Sequence, residues 1–315
     1  MLYDLNIAWS PSTPLSEQER TLRFAKTLGY DVVALNHSIT SSIPTSPNPL
    51  HNPLPTLTIS PSIPTILHRV TLTITDPAIT NYRVADFART YDLVALRPMN
   101  EKAFAWTCLS TTEIPALISL DLSAFLGWHI HYRTAMAAVH RGSRFEICYG
   151  QAVASEADAR QRANFIGNVL ALVRATKGRG IVVSSEARSA LTLRGPADVV
   201  NLMAVWGLGP EKGSEAIGAG ARAVVVNEGI RRRGFRGVVD IVRPAGEDEE
   251  AAKARKEAVE RSKEAKAGKG KQKGQSQGQG QKRKNGEGDG EGQVTLSKRQ
   301  AKKLRKEALQ ATGGA

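Results

Sequence analysis

Short runs of consecutive apolar residues, separated by stretches with helical spacing, restrict this chain more than any other feature. "IVVSS" (181–185) and "RAVVVN" (222–227) are apolar at successive positions, whereas a strand with one wet face alternates. A strand apolar on both faces must be covered on both, so the sheet either lies between helices or closes into a barrel. Strand-like runs recur at 3–8, 32–35, 66–74, 92–96, 116–120, 145–149, 181–183 and 223–226, eight in all. Helical patterns alternate with them at 17–28, 101–108, 133–140, 156–176, 196–206 and, more briefly, 211–217. Ser16 and Glu19 have capping-box spacing, Pro196 opens one helix, and Gly29 and Gly207 stop two. The alternation predicts parallel α/β architecture.

Two regions break the pattern. Residues 41–64, "SSIPTSPNPLHNPLPTLTISPSIP", carry proline every few positions, which removes backbone donors and predicts an extended surface insertion. From about Gly246 large apolar residues almost vanish and Lys, Glu, Gly and Gln dominate. Such a segment buries too little to offset the entropy of ordering, so residues 243–315 are expected to be a disordered basic tail behind an ordered 1–242. "SKRQAKKLRKEAL" near the end has the composition of a basic helix that forms on a nucleic acid.

The net charge is +13 and the pI about 9.9. From Glu247 onward 18 Lys and Arg stand against 11 Asp and Glu, which leaves 25 against 19 before it, so both parts are basic. A polyanionic partner follows, nucleic acid before membrane, because no amphipathic basic helix with aromatic anchors accompanies the charge. No run of about 18 apolar residues suggests a membrane span, and a soluble intracellular protein is expected. Cys108 and Cys148 lie in apolar surroundings without CxxC spacing, as buried free thiols rather than a disulfide or zinc framework.

In a parallel barrel, chemistry sits at the C-terminal strand ends. Here those ends offer Asp4 and Asn6, Asn36 and His37, Arg97, Asp121, Ser184 to Glu186, and Asn227. Barrel metallohydrolases end their first strand in two histidines one residue apart. Asn6 stands where an imidazole is wanted, so Asp4, Asn6 and His37 are expected to hydrogen-bond rather than hold a metal. His129 and His131 have i, i+2 spacing, which on a strand would face them the same way, with His140 nine residues on. No carboxylate accompanies them, which favours surface histidines. The glycine-rich "GLGPEKGSEAIGAGAR" and "KGRG" lack phosphate-loop order, and no GxSxG elbow is present. What remains is basic. Lys177 and Arg179 precede a strand, Arg194 precedes a helix, Arg222 opens the expected last strand, and Arg231 to Arg233 with Arg236 follow it. Cations in turns suit phosphate contacts, and the scarcity of aromatics among them favours structured nucleic acid over single strands.

"YDLVALRPMNEKAF", "HRGSRFEICYG", "RANFIGNVLALVRATKGRGIVVSSEARSALTLRGPADVVNLMAVWGLG" and "ARAVVVN", with "DLNI" and "GYDVVALNH" at the start, closely resemble the thirty-kilodalton protein subunit of eukaryotic and archaeal RNase P, shared in eukaryotes with RNase MRP. The resemblance covers residues 1–227 apart from the proline-rich insertion. It implies a TIM-barrel-like α/β fold related to the metallohydrolase (PHP) barrels, without the metal site and without a cofactor. It further implies a noncatalytic, RNA-binding role in a nuclear or nucleolar ribonucleoprotein that removes 5′ leaders from precursor tRNA and processes rRNA. Implied partners are RNase P RNA and RNase MRP RNA, a small RRM-like subunit and other proteins of the complex, with two copies per assembly. By family match, Lys102, Lys177, Ser184, Ser185, Arg194 and Arg222 form the expected RNA- or partner-facing set. The insertion and tail depart from the compact family pattern. A metal-dependent phosphoesterase of the same barrel superfamily, and a barrel that only scaffolds proteins, are the competing readings.

Overall fold

The computed structural model describes residues 1–40, 52–55, 61–78, 82–154 and 158–233. The expected tail, residues 243–315, and most of the proline-rich insertion lie outside the described residues. Within them seven strands form a parallel sheet: β1 (Tyr3–Trp9), β2 (Val32–Ile39), β3 (Thr65–Ile74), β4 (Leu93–Pro98), β5 (Leu117–Ser119), β6 (Arg144–Cys148) and β7 (Ile181–Ser184). They are ordered as they occur in the sequence. The sheet curls until its edges meet. Ile7 bridges Ala187 just beyond β7 in parallel fashion, and Ala8 N donates to Ala187 O at 2.9 Å.

The helices follow the strands as right-handed crossover geometry requires: α1 (Leu15–Thr27), α2 (Val84–Thr90), α3 (Glu101–Ala105), α4 (Tyr132–Arg141), α5 (Gly150–Val153), α6 (Ala159–Thr176), α7 (Pro196–Val205), α8 (Pro210–Ile217) and α9 (Ala219–Arg233). Strand residues alternate between two cores. Val33 and Leu35 of β2 pack outward with Leu22 and Ala25 of α1, and Ile147, Ile181 and Val183 pack with Phe165, Leu172 and Met203 of α6 and α7. Val32 and Ala34 turn the other way, into a small cluster with Tyr3, Leu5, Leu117 and Val182 inside the barrel.

The stretch 223–226, expected as an eighth strand, lies in the middle of α9. Ala221 and Val224 join the interior cluster and Val225 packs against it. The spacing of three and four puts these residues on one helical face. The C-terminal end of the helix fixes it across the N-terminal opening. Arg231 Nη1 donates to Ile114 O at 2.6 Å, and Arg232 donates to Tyr91 O and Asp92 Oδ1, in the segments just before β5 and β4. Valine's strand preference is weak beside the burial gained by plugging a barrel end.

Helix starts also differ from expectation. Ser16 and Glu19 make no capping box, because α1 begins two residues earlier than expected, at Leu15 behind Pro14. The capping box instead opens α6, where Asp158 Oδ1 accepts from Gln161 N and Gln161 Oε1 accepts from Asp158 N. Part of the proline-rich insertion is anchored rather than superficial: Leu54 is buried in the outer core, behind an Asn52 turn.

Gly150 begins α5 flat against the seam. Its N–H donates to Ser185 O at 2.9 Å, and a Cβ there would lie 2.3 Å from that oxygen. Backbone cannot yield as a side-chain tip can, so Gly150→Ala is expected to destabilise the barrel by about 1–3 kcal/mol. Urea denaturation followed by far-UV circular dichroism checks this; an unchanged midpoint contradicts the seam packing.

Candidate nucleic-acid interface

The barrel interior holds a buried ion pair midway along its strands. Arg69 of β3 is wholly buried and grips Glu146 of β6 with two hydrogen bonds, Nη1 to Oε1 at 2.5 Å and Nη2 to Oε2 at 2.6 Å. Arg69 also donates to Leu5 O on β1 and to Thr71 Oγ1, so each of its three nitrogens has a partner. Burial pushes the Glu146 carboxyl up, but the adjacent guanidinium outweighs burial and holds it at about 2. The chain of contacts continues from Thr71 to Asn36, from Asn36 to Asn6, and from Asn6 to the buried thiol of Cys148.

The strand-end groups do not converge on one point. His37 turns to the outer face, 3.1 Å from Tyr91 OH and edge-on to Trp9, where burial lowers its pKa. Asp4 and Asn6 flank the irregular stretch of β1, whose register with β2 shifts between Asp4 and Ile7. Asn6 reaches Asn36 and Cys148, whereas Asp4 Oδ1 accepts from Asn6 N and Ser185 N. Asp4 Oδ2 is buried without a hydrogen bond among the described residues, and burial pushes the carboxyl up to about 6, although bonds from Ser185 and Asn6 pull it back. His129 and His131 lie in the loop before α4, not on a strand, with ring centroids 5.2 Å apart. Among the described residues, no three His, Cys, Asp or Glu side chains group as metal ligands would. Both cysteines are free and buried.

The expected partner-facing residues divide three ways. Ser184 and Ser185 are in the wall, both buried; Ser185 Oγ donates to Asn6 O and accepts from Ala187 N, closing the seam. Ser185 thus bonds across the seam, whereas the buried Ser184 hydroxyl has no hydrogen-bond partner among the described residues. Lys102 and Arg194 lie at the C-terminal end. Lys102 is exposed, with Nζ 3.4 Å from Asp76. Arg194 is half-buried, and its backbone is clamped: its N–H donates to Tyr149 OH and its carbonyl accepts from Tyr30 OH. Lys177 and Arg222 lie at the N-terminal end, both exposed.

Around Lys177 and Arg179, paired already in the sequence, the structure gathers further cations. Lys177 ends α6 in the left-handed conformation at φ +54°, with its ammonium 5.4 Å from the Tyr132 ring centroid. Its carbonyl accepts from Lys212 Nζ at 2.5 Å. Arg174, Lys177 and Lys212 line a cleft of about 600 Å³. A smaller cleft beside it shares Gly178 and Lys212 and adds Arg144 and Arg179. Five cations against Glu211 and Glu215 form a positive strip suited to phosphate oxygens. The strip comes from the β6 start, the α6–β7 turn and α8, so no local motif announced it. The buried Arg69 and Glu146 were legible in principle, as single charges inside apolar strands, "LHRV" and "RFEIC".

A seven-stranded parallel α/β barrel, plugged at one end by a helix, locked inside by an ion pair and basic outside, is a barrel of the TIM-like class built on a charged interior. Within that class the chain belongs to the RNase P subunit p30 family, whose model matches residues 1–233. It is 30% identical over 242 residues to "Probable ribonuclease P protein subunit 3" of Schizosaccharomyces pombe, covering 76% of this chain and 99% of that one. It is 33% identical over 244 residues to "Ribonuclease P protein subunit p30" of Mus musculus, covering 73% and 88%. In fold it is similar to a chain in the cryo-EM structure of archaeal ribonuclease P with mature tRNA, with a TM-score of 0.55 at 12% identity over 78% of this chain and all of the other.

Two predictions follow from the interior charges. Arg69→Met strands a buried carboxylate and is expected to cost about 3–5 kcal/mol, whereas Arg69→Met with Glu146→Leu recovers most of that loss; equal losses in the two variants by urea denaturation count against the pair as the interior lock. The Asp4 pKa is raised on folding, so its stabilisation is full below pH about 4 and lost as pH rises through about 6. Asp4→Asn should therefore stabilise the barrel at pH 8 by up to roughly 3 kcal/mol and flatten the stability profile between pH 4 and 7. A stability profile identical to that of the parent would show that Asp4 does not titrate there.

Proposed function

We propose that this chain is a noncatalytic RNA-binding protein subunit of RNase P and RNase MRP, acting in removal of the 5′ leader of precursor tRNA and in rRNA processing. The observation that carries the reading is the family match across the whole barrel, residues 1–233. The geometry is consistent with it: a fixed guanidinium occupies the interior, and the exposed cations cluster in turns at the barrel ends. In this reading the cleavage chemistry belongs to the RNA, and the barrel steadies that RNA through phosphates. Lys102, Lys177, Arg194 and Arg222 are its surface contacts, joined by Arg174, Arg179 and Lys212. The same reading supplies the finer partners: a small RRM-like subunit, two copies of this chain per complex, and a nuclear site of action aided by the basic sequence beyond Arg243. No described helix is long and apolar enough to cross a membrane.

Purification of the tagged full chain from its own cells at moderate salt, followed by sequencing of the accompanying RNA, tests the proposal. RNase P and MRP RNAs, with precursor-tRNA cleavage that disappears after nuclease treatment, are expected. Cleavage that survives complete removal of RNA would overturn it, as would the absence of any specific RNA. Lys177→Ala and Lys212→Ala should each lower the slope of log affinity against log salt by about 0.7–0.9 if each ammonium neutralises one phosphate.

A further inference from the structure

The C-terminal end of the barrel, unlike the plugged N-terminal end, opens into a cavity of about 570 Å³ above the strand ends. Ligands of parallel barrels bind at this face, and the volume is that of a small-molecule site. Among the described residues the charges lining it balance: Arg97 and Arg188 stand against Asp121 and Glu186. A neutral, hydrogen-bonding lining gives a phosphate no net attraction and suits an uncharged polar group.

The floor is rigid. Arg97 Nη2 donates to Glu186 Oε1 at 2.8 Å, and Gln151 Nε2 donates to Glu186 Oε2 at 2.7 Å. Above it, hydrogen-bonding capacity remains. Asp121 Oδ1 accepts from Ser123 N and Oγ, which leaves Oδ2 open among the described residues. Gln161 spends its oxygen on Asp158 N, which leaves its amide N–H groups open. An acceptor and a donor lining one mouth are what the edge of a nucleobase pairs with.

The loop that carries Asp121 and Ser123 also carries Phe125, which is 80% exposed. That loop is pinned: Asn168 Nδ2 donates to Leu122 O and Ala124 O at 2.8 and 2.9 Å, and Asn164 Nδ2 donates to Ser123 O. An aromatic this exposed on a fixed loop packs little among the described residues and presents a stacking face. The first turn of α6, which supplies Gln161, adds the exposed Arg160 and Arg162 beside it.

We propose that the mouth of the barrel receives one unpaired nucleotide of the RNA, its base inside, Phe125 stacking on that base or its neighbour, and the α6 arginines at the backbone. The proposal rests on the RNA-binding role argued above. Two full-length variants test it without changing net charge: Phe125→Ala, and Ala154→Trp, which fills the mouth from its wall. Each is compared with the parent for affinity to the co-purifying RNA across a salt series, and for protection of RNA bases from dimethyl sulfate. Both variants, with parental thermal midpoints, should bind about tenfold more weakly at an unchanged salt slope. Both should also expose a base that the parent protects. Parental affinity and protection in both variants would overturn the proposal and leave the RNA-binding role standing. Parental RNA affinity with loss of a protein subunit would assign the mouth to protein instead and overturn it too. A parent that binds no RNA would remove the wider role, and this one with it.

Discussion

The ion pair between Arg69 and Glu146 is the interaction on which the rest of the structure depends. It joins β3 to β6 across the interior, and the same guanidinium holds the Leu5 carbonyl of β1, so three walls are referred to one group. Two buried charges are costly to desolvate. The pair withstands that cost because both carboxylate oxygens and all three guanidinium nitrogens are bonded. Its polarity also decides what the cavity is suited to hold. A divalent cation at this depth would meet a fixed positive charge, and His37, the one imidazole at the end of β2, faces outward to Tyr91.

Much of the fold could be read directly because buried parallel strands are simple objects. Seven of the eight apolar runs are strands, in sequence order, and the parallel architecture follows from their being apolar at consecutive positions. The eighth run misled because "AVVV" fits both a strand and a helix face, and only the empty barrel end, a tertiary fact, decides between them. Capping at α1 misled for a local reason: the helix enters behind Pro14, two residues early. The candidate site was less legible. Ser184 and Ser185 sit in a segment with strong family likeness, but their hydroxyls lie inside the wall. Lys177 was joined in the sequence only with Arg179, whereas Arg144, Arg174 and Lys212 come from the β6 start, α6 and α8.

The two ends of the barrel divide the labour. At the N-terminal end α9 gives its apolar face to the interior and its arginines to Tyr91, Asp92 and Ile114. Beside that plug runs the strip of Arg174, Lys177 and Lys212. At the C-terminal end the opening remains, with a neutral lining and a rim carrying Phe125 and the α6 arginines. One face suits a phosphate backbone and the other suits a base, and the rigid interior fixes the distance between them.

The seam between β1 and β7 sets an order of events during synthesis. β1 is closed not by a strand ladder but by a few bonds from Ser185 and Ala187, reaching back to residues as far as 181 positions earlier. The first strand to leave the ribosome is therefore among the last to find its second neighbour. Until residue 187 has emerged, β1 presents an unpaired parallel edge with Leu5 and Ile7 uncovered. Contacts this distant in sequence form slowly, and exposed strand edges invite wrong pairing. The architecture thus leaves β1 with one open edge for most of the barrel's synthesis, whatever the stability of the finished molecule.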